Sequence, residues 1–483
     1  MSPPRDTIYA LSSGRPPAAI AVVRLSGPRA GAALEILTGR LPAPRMATLA
    51  KITGRGGVTI DYALALWFPS PNSETGEDVA ELQVHGGRAV IEAVFAALSV
   101  IEGLRPAEPG EFTRRAFENG KLDLTAVEGL ADLVMAETEA QRRQSFTHMT
   151  GALARHAETW RQRLIDALAL IEARIDFSDE ADVPEDLVTP AIVVVRALEN
   201  EIGAVLADNR RGERLREGLV VAIAGPPNAG KSTLLNRIAR REAAIVSPYA
   251  GTTRDVIETH LDLDGWPVTL LDTAGIRDSQ DPVEIEGVRR ARERAAAADL
   301  VLWVIDASRP LNAQLPPQAG ERIWLVQNKI DLVPEQVRER NEAECQIHNT
   351  KAPGVNVNPE LASEVNKELI TSNEFPLTKC EYHFTVSAVE GSGIARLIGQ
   401  LASFAKDSMG GAEASLVTRE RHRRALEETR AALNRALKPE MRGDEDLLAE
   451  ELRIASRSLG RLTGRIDVED VLDRIFRDFC VGK

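Results

Sequence analysis

The sequence is poor in cysteine and has no long apolar segment. Its three cysteines, Cys345, Cys380 and Cys480, cannot all pair and show no metal-ligand spacing, which excludes a disulfide framework and favours a reducing cytosol. No apolar run approaches the roughly 20 residues that a membrane-spanning helix needs, and residues 1–6 do not have the pattern of a secretory signal. We therefore expect a cytoplasmic protein with no membrane partner.

Charge, histidine and aromatic content exclude further classes. The net charge is −13, which argues against a broad nucleic-acid-binding surface, so any contact with RNA must be local. The seven histidines show no metal-ligand spacing. A length of 483 residues predicts two or three domains, and 43% hydrophobic with only 4% aromatic residues favours a largely helical protein.

A glycine-rich segment at residues 225–232 predicts a phosphate-binding loop. It reads Gly-Pro-Pro-Asn-Ala-Gly-Lys-Ser and follows the apolar run Leu219–Ala224. A strand that enters a glycine-rich loop and then a helix is the context that this motif requires. Its two glycines allow backbone N–H groups to surround phosphates. We expect Lys231 to reach the terminal phosphates and Ser232 to bind Mg²⁺.

Three further motifs follow in the order that a guanine nucleotide site requires. Residues 272–275 (Asp-Thr-Ala-Gly) end an apolar run, so that Asp272 is expected to hold Mg²⁺ through water and the glycine N–H to lie beside the γ-phosphate. Residues 328–331 (Asn-Lys-Ile-Asp) end another run, and the Asp331 carboxylate suits two N–H donors that guanine has and adenine lacks. Residues 387–388 supply a backbone contact to the guanine oxygen.

Each short motif is weak alone, but the ordered set predicts GTP binding. A threonine of the loop at residues 251–255 is expected to complete the Mg²⁺ shell. The candidate GTP-binding residues are Asn228, Ala229, Gly230, Lys231, Ser232, Thr233, Ser247, Pro248, Tyr249, Ala250, Gly251, Thr252, Thr253, Asp272, Thr273, Ala274, Gly275, Asn328, Lys329, Ile330, Asp331, Ser387 and Ala388.

The apolar patterns predict an α/β plus α architecture. Residues 1–121 mix short strands with helices, including a helix at residues 89–101, and form an α+β domain. Residues 122–216 and 404–483 show helical spacing, whereas residues 217–403 alternate strands and helices as in a doubly wound sheet. We expect this nucleotide domain to be inserted into one helical domain. The charged residues 209–214 are interpreted as a linker before it.

Three segments leave alternatives open. Arginines recur at every fourth position from 453 to 465, which fits either a tRNA-facing stripe or a solvated helix face. The basic cluster at residues 419–424 is a slightly better RNA candidate. The long polar segment at residues 333–383 is interpreted as a disordered or loosely packed insertion.

Motifs outside the nucleotide site resemble one protein family over almost the whole chain. The family is that of the bacterial and organellar tRNA modification GTPases called MnmE or TrmE. The motifs are residues 13–15 (Ser-Gly-Arg), 23–27 (Val-Arg-Leu-Ser-Gly), 75–81 (Thr-Gly-Glu-Asp-Val-Ala-Glu), 85–87 (His-Gly-Gly), 109–117 (Pro-Gly-Glu-Phe-Thr-Arg-Arg-Ala-Phe), 119–123 (Asn-Gly-Lys-Leu-Asp) and 480–483 (Cys-Val-Gly-Lys).

The resemblance implies an activity, a cofactor and partners. It implies an N-terminal domain that dimerises and binds a one-carbon tetrahydrofolate, as the 5-formyl or 5,10-methylene form. A homodimer would join the flavin-dependent protein MnmG (GidA) in a heterotetramer and add an aminomethyl-type (carboxymethylaminomethyl) group to C5 of the wobble uridine of certain tRNAs. The family's folate contacts fall on Arg24, Glu81, Lys121 and Lys483. Basic side chains suit folate carboxylates and an acidic one suits the ring donors, although either end could lie at either group.

The resemblance also implies how GTP is hydrolysed. Ile276 stands where many small GTPases carry a water-orienting glutamine. The family's replacement falls on Glu284, with Glu286 as a competitor, and both carboxylates also suit a helix N-terminus. The implied K⁺ ligands are Asn228, Ser247, Tyr249 and Thr252, which leaves Ser232 and Thr253 for Mg²⁺.

Two other functions fit the nucleotide motifs. The first is a regulatory or ribosome-assembly GTPase that acts as a binding switch, against which the N-terminal motifs and residues 480–483 argue. The second is a dimeric scaffold with a vestigial GTPase, which the intact Lys231, Ser232, Asp272 and Asp331 disfavour. Cys480 fits either a reactive thiolate or a small packing residue.

Overall fold

The computed structural model describes residues 6–176, 186–241, 258–272, 298–310, 322–335, 337–338, 382–439, 443–466 and 482. The chain forms two compact units. The first comprises residues 1–134, 145–206 and 421–483, and the second comprises residues 135–144 and 207–420. The second unit therefore contains residues 135–144, 207–216 and 404–420 in addition to the nucleotide domain expected at residues 217–403.

The regular elements follow in chain order. The strands are β1 Thr7–Leu11, β2 Ala18–Ser26, β3 Thr48–Thr53, β4 Thr59–Phe68, β5 Val79–Gly86, β6 Leu104–Pro106, β7 Leu219–Ala224, β8 Glu258–Leu263, β9 Trp266–Asp272, β10 Leu300–Asp306, β11 Ile323–Asn328 and β12 Tyr382–Thr385. The helices are α1 Ala30–Thr38, α2 Arg88–Leu98, α3 Glu111–Glu118, α4 Leu124–Met135, α5 Glu139–Met149, α6 Ala152–Asp176, α7 Val188–Leu206, α8 Arg211–Glu217, α9 Lys231–Arg241, Ile394–Met409, Glu420–Ala436 and Glu445–Thr463. Short 3₁₀ helices lie at Arg55–Gly57, Ile330–Leu332 and Ala412–Ala414.

A mixed sheet forms the N-terminal part of the first unit. Its order is β3-β4-β5-β2-β1-β6, with β1 parallel to β6 and the other neighbours antiparallel. In β2, Ala21, Val23 and Leu25 are buried against the α1 and α2 side, while Val22 and Arg24 point to the opposite face. This alternation follows from the two-residue period of a strand.

Long helices form the rest of the first unit. The helix α6 packs against α7 and against Glu445–Thr463. It buries a residue at alternate steps of four and three positions, the spacing of one helix face, namely Leu153, Ala157, Trp160, Leu164, Ala167 and Ile171. The helical spacing predicted at residues 448–462 is confirmed, since Leu448, Leu452, Ala455, Leu459 and Leu462 are buried.

The second unit is built on a predominantly parallel sheet. Its order is β12-β11-β10-β7-β9-β8, and only the edge strand β8 runs antiparallel to its neighbour among the described strands. The carboxyl ends of the parallel strands meet at one edge of such a sheet, where α/β proteins bind ligands. Asp272, Asp306 and Asn328 are each the last residue of a strand and lie at that edge.

Two local predictions were only partly confirmed. The helix predicted at residues 89–101 ends at Leu98, where the chain turns and the Ile101 N–H bonds to the Leu98 carbonyl. Residues 211–214 belong to α8 rather than to a linker. The reason is tertiary packing, because Leu215 is fully buried and a Cβ at Gly212 would lie 2.1 Å from the Val417 carbonyl oxygen. In the part of the chain that the structure describes, no helix is long and apolar enough to cross a membrane.

Candidate functional site

The phosphate loop follows β7 and is enclosed by its neighbours in the sheet. Gly225 has a φ of +138°, and a Cβ there would lie 2.0 Å from the carbonyl oxygen of Val304 in β10. Gly230 has a φ of +92°, and its Cβ would lie 2.3 Å from Nδ2 of Asn328. Glycine is therefore required at both positions by backbone conformation and by contact.

The cationic side chain of the loop is folded back over it. Lys231 is the first residue of α9, and its Nζ donates to the carbonyls of Gly225 and Pro226, each at 2.8 Å. Burial lowers the pKa of Lys231, while the nearby Asp272 carboxylate acts in the opposite direction. The ammonium group is thus held beside the backbone that would surround the phosphates.

Two predicted Mg²⁺-site residues lie in contact. The Ser232 hydroxyl donates to Asp272 Oδ2 at 2.6 Å, and Asp272 is buried at the end of β9. A hydroxyl beside a carboxylate is a set of hard oxygen donors, the type that Mg²⁺ prefers. The donor set therefore fits the ion, which Ser232 would bind directly and Asp272 would hold through water.

The guanine motif is tied to both neighbouring loops. Asn328 Nδ2 donates to the Ala229 carbonyl at 2.9 Å, and Asn328 Oδ1 accepts from the Ala388 N–H at 3.0 Å. Asp331 Oδ1 is buried and accepts no hydrogen bond from the described residues. A buried acceptor without a donor is costly, and the ring N–H and amino group of guanine are donors of the kind that it lacks.

An ion pair that the sequence did not indicate supports Lys329. Its Nζ donates to Asp306 Oδ2 at 2.7 Å, and Asp306 is buried. Burial raises the pKa of Asp306, but the hydrogen bonds from Lys329 and Ser308 outweigh it, so that the pKa lies below its ordinary value. The available signal was that Asp306 ends an apolar run as Asp272 does.

The remaining nucleotide candidates divide into two groups. Among the described residues, Asn228 is exposed with a φ of +64°, Thr233 is exposed, Ala229 and Ile330 are buried, and Ser387 is fully buried. Outside the described residues lie Ser247, Pro248, Tyr249, Ala250, Gly251, Thr252, Thr253, Thr273, Ala274, Gly275 and Glu284.

A second cluster of candidate residues lies in the N-terminal sheet. Arg24 and Glu81 are directly opposite each other on β2 and β5, and Arg24 Nε donates to Glu81 Oε1 at 2.9 Å. Arg24 also forms an ion pair with Glu74, which sequence reasoning missed. Both members of the Arg24–Glu81 pair are less than one-fifth exposed, so the pair lies largely buried on the face away from α1 and α2.

Two further candidates approach the N-terminal sheet from other segments. Lys121 is exposed and lies against the loop before β5, because a Cβ at Gly76 would be 3.2 Å from Lys121 Cε. Lys483 lies outside the described residues, as does Cys480. The carbonyl oxygen of Gly482, the residue before Lys483, accepts a hydrogen bond of 2.8 Å from the hydroxyl of Ser12. Ser12 directly follows β1. Gly482 therefore lies against this domain.

A buried arginine stabilises the loop before β5. Arg115 donates to Glu77 Oε2 at 2.9 Å, to Glu111 Oε1 at 3.1 Å and to the Asp6 carbonyl at 2.8 Å. Its side chain is only 5% exposed. Because a buried charge requires partners, these bonds fix the loop against which Lys121 packs.

The basic segments are less available to RNA than their sequences suggest. His422 is buried and bonds to Glu128 Oε2 at 2.7 Å, and Arg421 Nη2 bonds to the same oxygen at 2.8 Å. The interpretation of residues 419–424 as an RNA-facing cluster is therefore wrong for these two. The arginines at every fourth position from 453 to 465 each have a glutamate partner, namely Glu172, Glu450, Glu428 and Glu158, which favours a solvated helix face.

Two family models and the similar sequences give the same family. Residues 124–480 match the model of the MnmE helical domain, and residues 7–121 match that of the GTP-binding protein TrmE N-terminus. The tRNA modification GTPase MnmE of Rhodopseudomonas palustris is 54% identical over 483 residues, which is 100% of both chains. That of Azorhizobium caulinodans is 50% identical over 479 residues, covering 99% of each. The FeoB G-domain from Methanococcus jannaschii shares 22% identity over 39% of this chain and 98% of that chain, with a TM-score of 0.22.

Proposed function

The chain belongs to the MnmE family of tRNA modification GTPases, and we propose that it works at C5 of the wobble uridine of certain tRNAs. In this proposal a one-carbon tetrahydrofolate supplies the carbon of an aminomethyl-type (carboxymethylaminomethyl) group. A flavin-dependent partner, MnmG, joins two copies of the chain in a heterotetramer. The observation that carries the proposal is the largely buried Arg24–Glu81 pair on one face of the N-terminal sheet.

The chemistry of this pair suits a folate. Glu81 is held by Arg24 with acceptor capacity left over, because a carboxylate has about four lone-pair sites. A reduced pterin presents N–H and amino donors that such a carboxylate can accept. Lys121 beside Gly76, and Lys483 next to the anchored Gly482, would then offer positive charge to the glutamate tail. These residues bind and orient the cofactor, which supplies the one-carbon unit.

The GTP reaction uses the other unit. We assign Ser232 and Thr253 to Mg²⁺, and Asn228, Ser247, Tyr249 and Thr252 to a K⁺ ion. Glu284 orients the water that attacks the γ-phosphorus as the bond to the β,γ-bridging oxygen breaks. Lys231, which the structure holds beside the phosphate loop, and the cations would offset the charge that develops on the phosphoryl oxygens.

A homodimer is part of the proposal. The sheet face away from α1 and α2 carries exposed apolar side chains on neighbouring strands, among them Leu49, which is 66% exposed and lies opposite Leu64. Tyr62 and Ile20 are each 60% exposed. Such a face buries apolar area when it meets a second copy of itself. We expect Leu49→Glu to lower the dimer fraction in light scattering and Val193→Glu, at an exposed position of α7, to leave it unchanged.

The decisive experiment is nucleoside analysis of tRNA from a strain that lacks the gene. We expect the modified wobble uridine to be lost, restored by the wild-type chain and by Arg40→Ala, and not restored by Arg24→Ala. Arg40 is an exposed arginine after α1 and serves as the matched control. Unchanged wobble uridines in the deletion strain would refute the assignment.

Direct binding separates the folate site from the rest. Calorimetry with 5-formyltetrahydrofolate should detect binding to the wild-type chain and to Arg40→Ala, and a loss of at least about tenfold in affinity for Arg24→Ala. Equal affinities in all three would refute the folate site but not the GTPase activity.

The domain boundaries at residues 121, 216 and 403 and a cytoplasmic location remain predictions.

A further inference from the structure

The loop after β12 is braced by an arginine from the helix that follows the phosphate loop. Arg237 lies on α9, and its Nη2 donates to the Val389 carbonyl at 2.6 Å. A Cβ at position 391 would lie 2.9 Å from Nη2 and 3.3 Å from both Cζ and Nε, so the guanidinium lies against the backbone of Gly391. Gly391 also has a φ of +95°, which favours glycine. The arginine and the loop therefore fit each other at two nearby points.

The braced loop is a small closed unit. The Gly391 N–H bonds to the Ser387 carbonyl at 2.7 Å, and the Ser387 N–H bonds to the Ser392 carbonyl at 3.0 Å. The Glu390 N–H bonds to the Ser387 hydroxyl at 3.0 Å. Val389 at the tip is 71% exposed, so its side chain contributes little packing. These bonds connect residues 390–392 to Ser387, which precedes Ala388. A displacement of residues 389–391 would therefore also move Ala388.

Ala388 is the residue through which this loop would read the base. Its N–H donates to Oδ1 of Asn328, the first residue of the guanine motif, at 3.0 Å, and the 6-oxygen of a bound guanine would be a second acceptor for it. We propose that Arg237 is a positioning residue that holds the Ala388 amide against the 6-oxygen of guanine, slowing nucleotide release and favouring 6-oxopurines. This inference rests on the guanine site proposed at Asn328–Asp331 and goes beyond the tRNA reaction.

The chemistry of arginine suits the task. Its planar fork donates to a carbonyl and lies flat against a glycine backbone at the same time, which a lysine ammonium cannot do. A hydrogen bond from a charged donor is also stronger than a neutral one. The brace joins α9, whose first residue is Lys231 of the phosphate loop, to the loop that contacts the base. Phosphate binding and base binding would therefore support each other.

The first test is the release rate of a fluorescent GDP analogue from the full-length chain. We expect Arg237→Ala to speed release about tenfold and Arg237→Lys to have an intermediate effect. Arg240→Ala, an exposed arginine on the same helix, is the matched control and should release as the wild type does. If Arg237→Ala and Arg240→Ala release the analogue at the same rate, the proposal is overturned.

A second variant approaches the contact from the loop. Gly391→Ala would push the guanidinium away and should also speed release. Because both changes break one contact, the double variant should release no faster than the faster single variant. If the two changes had additive effects on the release rate, the proposed contact between Arg237 and Gly391 would be refuted.

The second test asks whether Arg237 acts on the base. The diphosphate of 2-aminopurine riboside lacks the 6-oxygen that the Ala388 amide would contact. We expect Arg237→Ala to lose about tenfold in affinity for GDP and nothing for this analogue. An equal loss for both ligands would mean that Arg237 only stabilises the fold.

The guanine site itself is tested separately with Asp331→Ala. If that variant keeps the wild-type preference for GDP over ADP, the site is wrong and the inference fails with it. If that preference is lost while Arg237→Ala is without effect, only the role of Arg237 is refuted.

Discussion

The side-chain amide of Asn328 donates a hydrogen bond to the backbone carbonyl of Ala229 across 2.9 Å. The same side chain accepts a hydrogen bond from the Ala388 N–H. One buried asparagine thus joins the phosphate loop, the guanine motif and the loop after β12, which are far apart in sequence. The site is consequently an assembly whose parts depend on one another.

Replacing this asparagine should loosen both loops. In Asn328→Ala the buried Ala229 carbonyl and the Ala388 N–H lose their partner, and unpaired buried groups cost about 1–3 kcal/mol each. We expect affinity for GDP to fall by about 10- to 100-fold in fluorescence titrations. Asn236→Ala, on the exposed face of α9, should bind as the wild type does. Equal dissociation constants for the two variants would contradict this role.

The Asp306–Lys329 pair should contribute to stability in a pH-dependent way. Asp306→Ala removes the bonds to Lys329 and Ser308, and we expect the free energy of unfolding to fall by about 1–3 kcal/mol in urea titrations near neutral pH. The folded state lowers the pKa of Asp306, so its stabilisation is present above the unfolded pKa of about 3.9 and is lost as the pH falls through the folded value.

The control and the contrary result for Asp306 are simple. Asp407→Ala changes an exposed aspartate of Ile394–Met409 and should leave the stability unchanged. The difference between Asp306→Ala and the wild type should be constant from about pH 8 to about pH 5 and narrow below about pH 4. A difference that widens on acidification would mean that Asp306 is not paired as described.

His422 should make the free energy of unfolding fall on acidification at a higher pH than Asp306 does. Burial lowers its pKa to about 4, although Glu128 acts in the opposite direction and Arg421 and His148 reinforce the lowering. Because the unfolded histidine takes up a proton near its pKa of about 6.5 and the folded one does not, stability falls as the pH drops below that value. The slope should approach about 1.4 kcal/mol per pH unit between about pH 6 and about pH 5.

The test compares pH profiles of unfolding free energy. His422→Gln removes the titrating group and should show a slope smaller by about one proton in that window, whatever its stability at neutral pH. His156→Gln changes an exposed histidine on the helix α6 and should keep the wild-type slope. Parallel profiles for His422→Gln and the wild type would show that His422 is protonated in the folded protein.

The assigned K⁺ site predicts a cation-dependent reaction. We expect GTP turnover to be at least about tenfold faster in K⁺ than in Na⁺ buffers, because the ion offsets transition-state charge where many GTPases use an arginine. Asn228→Ala should lose this stimulation while retaining affinity for GDP within a factor of about three. Identical turnover of the wild-type chain in both salts would exclude K⁺ from the mechanism.

Motifs whose meaning depends on neighbours in sequence were predictable. The phosphate loop lies between β7 and α9 as its glycine spacing required, and the buried residues of Glu445–Thr463 follow the predicted helical spacing. Backbone conformation and strand-to-helix order are local properties. They can therefore be inferred from a short stretch of residues.

Contacts between distant segments were not predictable in the same way. Asp306 and Arg237 gave only weak signals, because an aspartate after an apolar run and an arginine in a helix are common. Their partners, Lys329 and Val389, are 23 and 152 positions away. The helix α8 was not predicted for the same reason. Its sequence is mostly charged, and its one leucine, Leu215, is buried only by packing in the folded chain.

The amino-acid sequence by itself determined the family and the order of the nucleotide motifs, because both reside in short strings of residues with fixed spacing. Only the tertiary structure decided that Glu74 joins Arg24 and that Glu128 neutralises basic residues which resembled an RNA surface. The physical reason is that the role of a charged side chain depends on its environment. Burial and partners arise when segments hundreds of positions apart pack together, and they decide whether an arginine contacts a ligand, a carboxylate or water.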